Sequence, residues 1–191
     1  DKLVNPNKKN KKHFRMLVRS LDADSVEFRL NRLEKKGVSY GVDYTDMELG
    51  SIYGHLNNFY VDGTAVGGDV TSLRFTEKSG FVLDNLSGVF FVDKGEVSLK
   101  DASLLAEQSQ INAPVMTLKG NNWNSYKDYI RNVKMDIEIK DSYVTSSTVG
   151  YFAPTLLGWD TTIKGVNASM HGTVANFKGR VDNLTLEDGG T

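Results

Sequence analysis

Apolar and charged residues alternate along much of this chain. The clearest stretch is 133–139, where every second residue is Val, Met or Ile and the residues between are Lys, Asp or Glu. A similar alternation runs through residues 166–174. A period of two is typical of a β-strand with one apolar and one solvated face. Several such strands in series predict a sheet whose apolar face has to be covered by something.

Strand patterns extend almost from end to end, and the segments between them are short and rich in Asp, Gly and Lys. Such joints favour antiparallel pairing of consecutive strands. The predicted strands cover residues 14–19, 26–31, 47–61, 66–75, 81–92, 97–104, 111–118, 133–139, 163–174 and 177–186.

Three segments interrupt this rhythm. Residues 34–46 are polar and predict a loop. Residues 122–131 have apolar side chains at helical spacing behind an Asn that could cap a helix, and residues 146–152 could form one helical turn before Pro154. We interpret the two helical segments as connections; the alternative is that they act as lids over an open end of the sheet.

A short pattern recurs within the strands: an apolar residue, any residue, Asn or Asp, and a second apolar residue. It occurs at 56–59, 83–86, 99–102, 130–133 and 181–184. Apolar residues three apart have the wrong parity for one face of a straight strand. Asn and Asp tolerate left-handed backbone conformation and β-bulges, which would return both apolar residues to one face. The pattern therefore predicts a kinked, curved sheet with a concave apolar side.

Composition narrows the class of protein. The chain has 191 residues, 39% of them hydrophobic and 25% charged, with a net charge of -1. The length fits one all-β unit, and the near-neutral charge gives no reason to expect a nucleic-acid partner. The Lys cluster at 8–12 is interpreted as a solvated tail. Because the chain opens on Asp1, we expect it to be an internal piece of a longer protein.

Residues that could carry catalysis do not form a recognisable set. The chain has no Cys, and its three His residues have no metal-ligand spacing. Neither a nucleophile elbow nor a phosphate-binding loop is present in the sequence. Carboxylates are abundant, and their separation in space is open at this point. We expect a protein that is not an enzyme and that uses no metal and no cofactor.

Three stretches resemble a known family. Residues 75–88, FTEKSGFVLDNLSG, resemble the F-x-E-K-S-G-F-x-L-x-N-L-S-G stretch of TamB-like proteins of the AsmA-like superfamily. Residues 137–143 and 151–154 resemble the segment that follows in those proteins. Residues 172–179 fit their G-x-V-x-N-L-x-G strands, with Phe177 in place of the usual Leu. The resemblance covers roughly residues 45–188.

The resemblance implies a sheet folded lengthwise into an apolar trough, called a β-taco. It implies a periplasmic protein, anchored to the inner membrane in its full length, that passes phospholipid acyl chains toward the outer membrane and supports outer-membrane biogenesis. The inner-membrane anchor and an outer-membrane barrel partner would involve regions outside this chain. Residues 1–44 would be N-terminal strands and a polar loop, and 45–188 the β-taco segment, in one continuous unit. The family offers no catalytic residue to transfer.

On this interpretation, alternating apolar residues of the strands line a lipid-facing groove, and small residues such as Ala168 and Gly172 leave room for a ligand. The predicted lining residues are Leu73, Phe75, Leu83, Phe90, Val97, Leu99, Val133, Met135, Ile137, Ile139, Val166, Ala168, Met170 and Val174.

Other arrangements fit the same alternation. The apolar residues could pack on one another in a closed β-sandwich, which would serve as a binding, adhesin-like or barrel-assembly scaffold module with no lipid in its core. Such a module would bind ligands through loops at 34–46 or 121–129. An enzyme on a β-helix is a third alternative, without paired acid and base residues to support it. For either open or closed sheets, exposed edge strands predict edge-to-edge self-association.

Overall fold

The computed structural model describes residues 14–31, 40–43, 46–152 and 161–188. The Lys cluster at 8–12 and most of the loop predicted at 34–46 lie outside these residues. The described strands are β1 (Arg15–Asn31), β2 (Asp46–Asp62), β3 (Ala65–Glu77), β4 (Val82–Asp93), β5 (Glu96–Ala106), β6 (Ser109–Lys119), β7 (Lys134–Thr145), β8 (Thr161–Thr173), β9 (Asn176–Asp182) and β10 (Thr185–Asp188).

All ten strands belong to one antiparallel sheet. Strands β1 to β8 lie side by side in chain order, and both β9 and β10 pair with β8. The sheet is open, because β1 forms one border and β9 with β10 the other. The prediction of an all-β, mostly antiparallel sheet with few helical turns is therefore confirmed.

Two helical segments connect strands. Between β6 and β7 a 3-10 helix (Trp123–Asp128) leads into α1 (Tyr129–Asn132). The side chain of Asn122 accepts a hydrogen bond of 2.9 Å from the backbone N–H of Asn124, as expected of an Asn cap. Between β7 and β8 lies α2 (Ser146–Gly150), where the Thr145 side chain is the cap. Both predicted helical segments are confirmed.

Residues with left-handed backbone conformation interrupt five of the ten described strands. Each is the third residue of a four-residue segment that starts and usually ends with an apolar residue. In and beside the strands they are Ser25, Ser51, Asn58, Asp101, Asp141, Gly165 and Asn183, with φ between 43° and 64°. Pairing slips by one residue near most of these positions. The predicted pattern is thus real, and it also uses Ser and Gly.

Three of the five predicted copies, ending in Phe59, Ala102 and Leu184, have this conformation. The copy at 83–86 has a register slip without positive φ. The prediction of a bulge at 130–133 was wrong, because most of this segment belongs to the helix α1. A further difference concerns residues 14–19 and 26–31, which we expected to be two strands. They form the single strand β1, since the bulge at Ser25 lets the chain continue along β2.

The bulges keep the apolar residues on one face. Leu99 and Ala102 flank the bulge in β5, and on the neighbouring strand Phe90 faces Leu99 while Leu86 faces Leu104. Leu86 and Phe90 are four residues apart in β4 and therefore lie on one face of the sheet. Their partners Leu104 and Leu99, on either side of the bulge in β5, must then lie on that same face. We call this side of the sheet the apolar face and the other side the polar face.

Replacing Asp101 by Val is expected to lower the free energy of unfolding by about 1–2 kcal/mol, because a β-branched residue is strained at a φ of 49°. Asp101→Gly should be close to neutral. Urea unfolding followed by circular dichroism measures both. Lys100→Val, at the neighbouring exposed position with ordinary backbone conformation, is the control, and an equal loss in Lys100→Val and Asp101→Val would contradict the role of the bulge.

Candidate functional site: the apolar face of the sheet

Directly opposed residues form two apolar rows that cross the sheet at right angles to its strands. The first row runs through β1 to β9 and consists of Met16, Val61, Val66, Val92, Val97, Leu118, Met135, Gly172 and Phe177. The second row runs through β3 to β9 and consists of Gly68, Phe90, Leu99, Met116, Ile137, Met170 and Gly179. We call them the two apolar rows. Eight strand spacings of about 4.8 Å make the first row roughly 38 Å long.

The described strands form no second sheet over these rows. The helical segment at 123–132 reaches the end of the first row, where the Tyr126 hydroxyl lies 3.1 and 3.0 Å from the carbonyl oxygens of Gly95 and Leu118. Row residues are half-buried, with Met116 38% exposed and Phe177, at the border, 55% exposed. A closed β-sandwich would require a second sheet, and the described strands form one.

At one margin of the sheet, however, the apolar face is covered. Phe81, Leu83 and Ala106 form a buried cluster there. Tyr151 and Phe152, which follow α2, pack edge-on against Phe81 with ring centroids 5.5 and 5.1 Å away. We call this cluster and the two aromatic residues over it the end cap.

The segment between β1 and β2 also joins the end cap. Val42 packs against the buried cluster, and its backbone N–H donates a 2.9 Å hydrogen bond to the carbonyl of Tyr151. Tyr40 stacks on Tyr151 at 6.1 Å. Gly41 has a φ of 81°, and a side chain there would collide with the Tyr151 carbonyl. The β1–β2 connection and the β7–β8 connection therefore pack against each other over this margin of the sheet.

Hydroxyl groups hold α2 against the sheet. Thr145 and Thr148 are buried, and their hydroxyls lie 3.0 Å apart. The Ser109 hydroxyl accepts a 2.9 Å hydrogen bond from the Thr145 backbone and lies 3.2 Å from the Thr145 hydroxyl. The buried hydroxyls of these three residues are hydrogen-bond partners of one another, so packing α2 against the sheet leaves none of the three hydroxyls without a partner.

The turn at 77–80 explains part of the stretch that resembles TamB-like proteins. Glu77 is 2% exposed, and its carboxylate accepts a 2.7 Å hydrogen bond from the backbone N–H of Ser79. Lys78 forms an ion pair with Asp46. This contact raises the pKa of Lys78 and lowers the pKa of Asp46. Gly80 has a φ of 97°. The residues Glu-Lys-Ser-Gly thus have a structural role, which is to place Phe81 in the end cap.

The polar face carries cross-strand hydrogen bonds and ion pairs. The Nδ1 atom of His55 lies 2.6 Å from the carboxylate of Asp22, and that of His171 lies 2.7 Å from the carboxylate of Asp136. The guanidinium of Arg74 lies 4.3 Å from the centre of the Tyr53 ring. Opposite-charge pairs of this kind stabilise neighbouring strands modestly. The two faces of the sheet therefore differ in chemistry: charged and hydrogen-bonding side chains pair across strands on the polar face, and apolar rows cross the other.

The predicted lining residues fall into distinct places. The two apolar rows bring together Phe90, Val97, Leu99, Met135, Ile137 and Met170. Ile139 and Ala168 are paired with each other beside the second row, and Val166 lies opposite Ser142 beyond the bulge in β7.

The other predicted lining residues lie outside the rows. Leu73, Phe75 and Leu83 belong to the buried cluster of the end cap or pack against it. Val133 precedes β7 and is 3% exposed, and Val174 lies in the turn after β8.

The backbone at Gly172 requires glycine: with a φ of 124°, a side chain there would meet the carbonyl of Asn176 in the paired strand β9 at 2.4 Å. Whether Gly172 also leaves room for a ligand stays a prediction. The prediction also missed row residues such as Met16, Val61 and Met116. Odd-numbered and even-numbered positions of a strand exchange faces at each bulge. Counting in this way puts these residues on the same face as the predicted ones, and the sequence alone allowed that count.

The described residues include no helix that is long and apolar enough to cross a membrane. Within the same ranges, His, Asp and Glu form no group of three that could hold a metal ion. A groove of about 530 Å³ opens on the polar side of the margin opposite the end cap, lined by Lys94, Lys119 and Lys134 among others. It is separate from the two apolar rows.

Comparison of the chain with protein-family models, curated proteins and solved structures gave no match. The resemblance to TamB-like proteins thus rests on the sequence stretches alone. The apolar face, with the end cap at one margin, is the feature of the described structure that offers a candidate functional surface.

Replacing Phe81 by Ala is expected to destabilise the fold by about 3–5 kcal/mol, because Phe81 is 6% exposed and carries the aromatic contacts of the end cap. Thermal and urea unfolding measure the change. Phe177→Ala removes the same side chain from an exposed position at the border and should cost much less. Equal losses in the two variants would show that the end cap is not a packed core.

Asp22→Asn is expected to lower the pKa of His55, because the hydrogen bond from Asp22 raises that pKa above its ordinary value of 6.5. The charged pair therefore stabilises the fold fully below pH 6.5, and this stabilisation is lost as the pH rises through the raised pKa. NMR titration of the imidazole signals measures the shift. Asp136→Asn, which removes the distant partner of His171, should leave the His55 titration unchanged.

Proposed function

We propose that this protein shields phospholipid acyl chains on its apolar face and forms a mid-section of a periplasmic conduit between the inner and outer membranes. The observation that carries this proposal is the pair of partly exposed apolar rows, over which the described strands form no second sheet. The resemblance to TamB-like proteins supplies the cellular setting.

The energetics of acyl-chain burial fit a continuous surface rather than a single pocket. Burying one methylene group is worth about 0.8 kcal/mol, so a sixteen-carbon chain gains on the order of 13 kcal/mol on leaving water. The few apolar side chains of a single strand offer too little surface to bury an acyl chain of this length. Rows that cross most of the sheet offer apolar contact along their whole length.

The rows also allow movement. Their members are Val, Leu, Ile, Met and Phe with Gly at a few positions, so neighbouring sites present similar apolar surface. Between such sites an acyl chain can shift without exposing itself to water. The phosphate and headgroup stay in solvent, since the rows contain no charged residue to pair with them. Directional transport would depend on partners at the inner-membrane and outer-membrane ends.

The end cap restricts where the lipid would lie. Leu83 and Phe81 are already packed against Tyr151 and Phe152, so that margin offers little uncovered apolar area. On this proposal we expect the acyl chain over Leu99, Met116 and Ile137 and their row neighbours, and not over every residue of the predicted lining.

The test is site-specific photo-crosslinking in bacteria that produce the protein, with a photoreactive residue in place of Ile137 or of Glu138. These neighbours point to opposite faces of β7, so the pair controls for expression and position. We expect crosslinked phospholipid, identified by mass spectrometry, at Ile137 and not at Glu138. A third variant at Leu83 should give little lipid because the end cap covers that site.

Absence of lipid at Ile137 in a folded protein would overturn the proposal. Crosslinks from Ile137 to another protein would favour the scaffold or adhesin-like module, in which the apolar face is an interface with a protein partner. Equal lipid labelling at Ile137 and Glu138 would indicate nonspecific contact with membranes and would also contradict the conduit.

A further inference from the structure

A groove of about 530 Å³ lies on the polar face at the margin opposite the end cap. Its walls come from the ends of β4 to β7, from the turn between β4 and β5 and from both ends of the connection between β6 and β7. Lys94, Lys119 and Lys134 line it together with two carboxylates and two Asn side chains. We call it the margin groove. The apolar rows lie on the other face of the sheet, so the acyl-chain proposal leaves this groove without a role.

Close packing of the β4–β5 turn against the β6–β7 connection fixes the shape of the margin groove. The Gly120 N–H donates a 2.9 Å hydrogen bond to the carbonyl of Gly95, and the Tyr126 hydroxyl lies 3.1 Å from that same carbonyl. Gly95 has a φ of 92°, and a side chain there would meet the backbone of Asn122 at 2.7 Å. The groove is therefore formed without a ligand, so ordering it adds little cost to binding.

The position of Lys134 is electrostatically unfavourable. It lies directly opposite Lys119 on β6 and opposite Thr173 on β8, so neither of the described neighbouring strands places an acid opposite it. Lys119 is paired with Glu96, the residue opposite it on β5, at 2.5 Å. Like charges that are directly opposed across an antiparallel pair are destabilising. An anion beside Lys134 would remove this cost.

Two further acids around the margin groove are engaged elsewhere. Asp93, which lines the groove, accepts a 2.5 Å hydrogen bond from the Thr64 hydroxyl. Asp136, two residues from Lys134 on the same face of β7, lies 2.7 Å from Nδ1 of His171. Neither carboxylate is paired with Lys134, so the charge of this lysine is left for another anion.

Four hydrogen-bond donors in the margin groove have no described acceptor. Within the described ranges the ammonium groups of Lys94 and Lys134 form no ion pair, and the side-chain amides of Asn121 and Asn132 form no hydrogen bond. Two positive charges and two amide donors suit a phosphate group, which as a monoester carries a charge of about −1.5 to −2 and has three acceptor oxygens. A carboxylate has one charge and two oxygens, and it would leave one of the two ammonium charges unmatched.

We propose that the margin groove binds a phosphate group, with Lys94 and Lys134 as the charged contacts and Asn121 and Asn132 as hydrogen-bond donors. A phospholipid headgroup and a small soluble phosphate compound offer the same chemistry, and the experiment separates these two sources. The groove opens to solvent at the margin, so a headgroup bound there would remain in contact with water. Because the groove and the apolar rows lie on opposite faces, this inference is independent of whether the rows bind acyl chains.

NMR titration of the full chain at low ionic strength tests the binding, because salt screens exposed charges. The probes are inorganic phosphate, glycerophosphate and dihexanoyl phosphatidylglycerol below its micelle concentration, with glycerol as the uncharged control. We expect each phosphate probe to shift the amide signals of Lys94, Gly95 and Gly120 saturably, and glycerol to leave them unchanged. Equal affinity for glycerophosphate and the phospholipid would assign the site to a soluble compound, and binding of the phospholipid that is tighter by about tenfold would assign it to a headgroup.

Lys94→Gln and Lys134→Gln should each raise the dissociation constant of glycerophosphate by about tenfold, because each removes a charged hydrogen bond to the phosphate. Lys100→Gln, at an exposed position of β5 outside the groove, is the matched control and should leave the affinity unchanged. Without phosphate, Lys134→Gln should not lower the thermal midpoint of unfolding, since it removes the repulsion from Lys119. A lysine with a purely structural role would lower the midpoint when replaced and leave the phosphate affinity unchanged.

Absence of saturable shifts with all three phosphate probes would overturn the proposal. Unchanged glycerophosphate affinity in both Lys94→Gln and Lys134→Gln, or an equal loss of affinity in Lys100→Gln, would overturn it as well. Shifts caused by the phospholipid at Met116 and Ile137 alone would contradict the phosphate site in the margin groove and still support lipid contact with the apolar rows.

Discussion

The alternation of side chains along a β-strand is the constraint on which this structure depends. A strand that bends without correction would turn its apolar residues toward water after the bend. Here a residue with left-handed backbone conformation, such as Asn58 or Asp101, absorbs the change and returns the next apolar side chain to the same face. The short polar side chains of Asn, Asp and Ser tolerate this conformation better than other non-Gly residues. The continuous apolar face is therefore a product of these bulges.

A continuous apolar face leaves side chains exposed to water, and the end cap covers them at one margin of the sheet. The end cap uses two connections, one between β1 and β2 and one between β7 and β8, to cover Phe81 and Leu83. The hydroxyls of Thr145 and Thr148 hold the β7–β8 connection, and the buried carboxylate of Glu77 shapes the turn that places Phe81 beneath both connections. Beyond the end cap, the rows around Leu99 and Met116 are left half-exposed, and this unequal covering separates a structural part of the apolar face from a part available to a ligand.

Much of this could be predicted from the sequence. Alternation located the strands within a few residues, and the Asx pattern predicted bulges at Asn58, Asp101 and Asn183. The bulges at Ser25 and Gly165 escaped because the pattern was defined by Asn and Asp alone. For residues 146–152 a lid was only the alternative to a plain connection, and its partners could not be predicted, since the contact of Tyr151 with Val42 joins residues far apart in the chain and leaves no local periodicity. Leu83 therefore looked like any other residue of the groove.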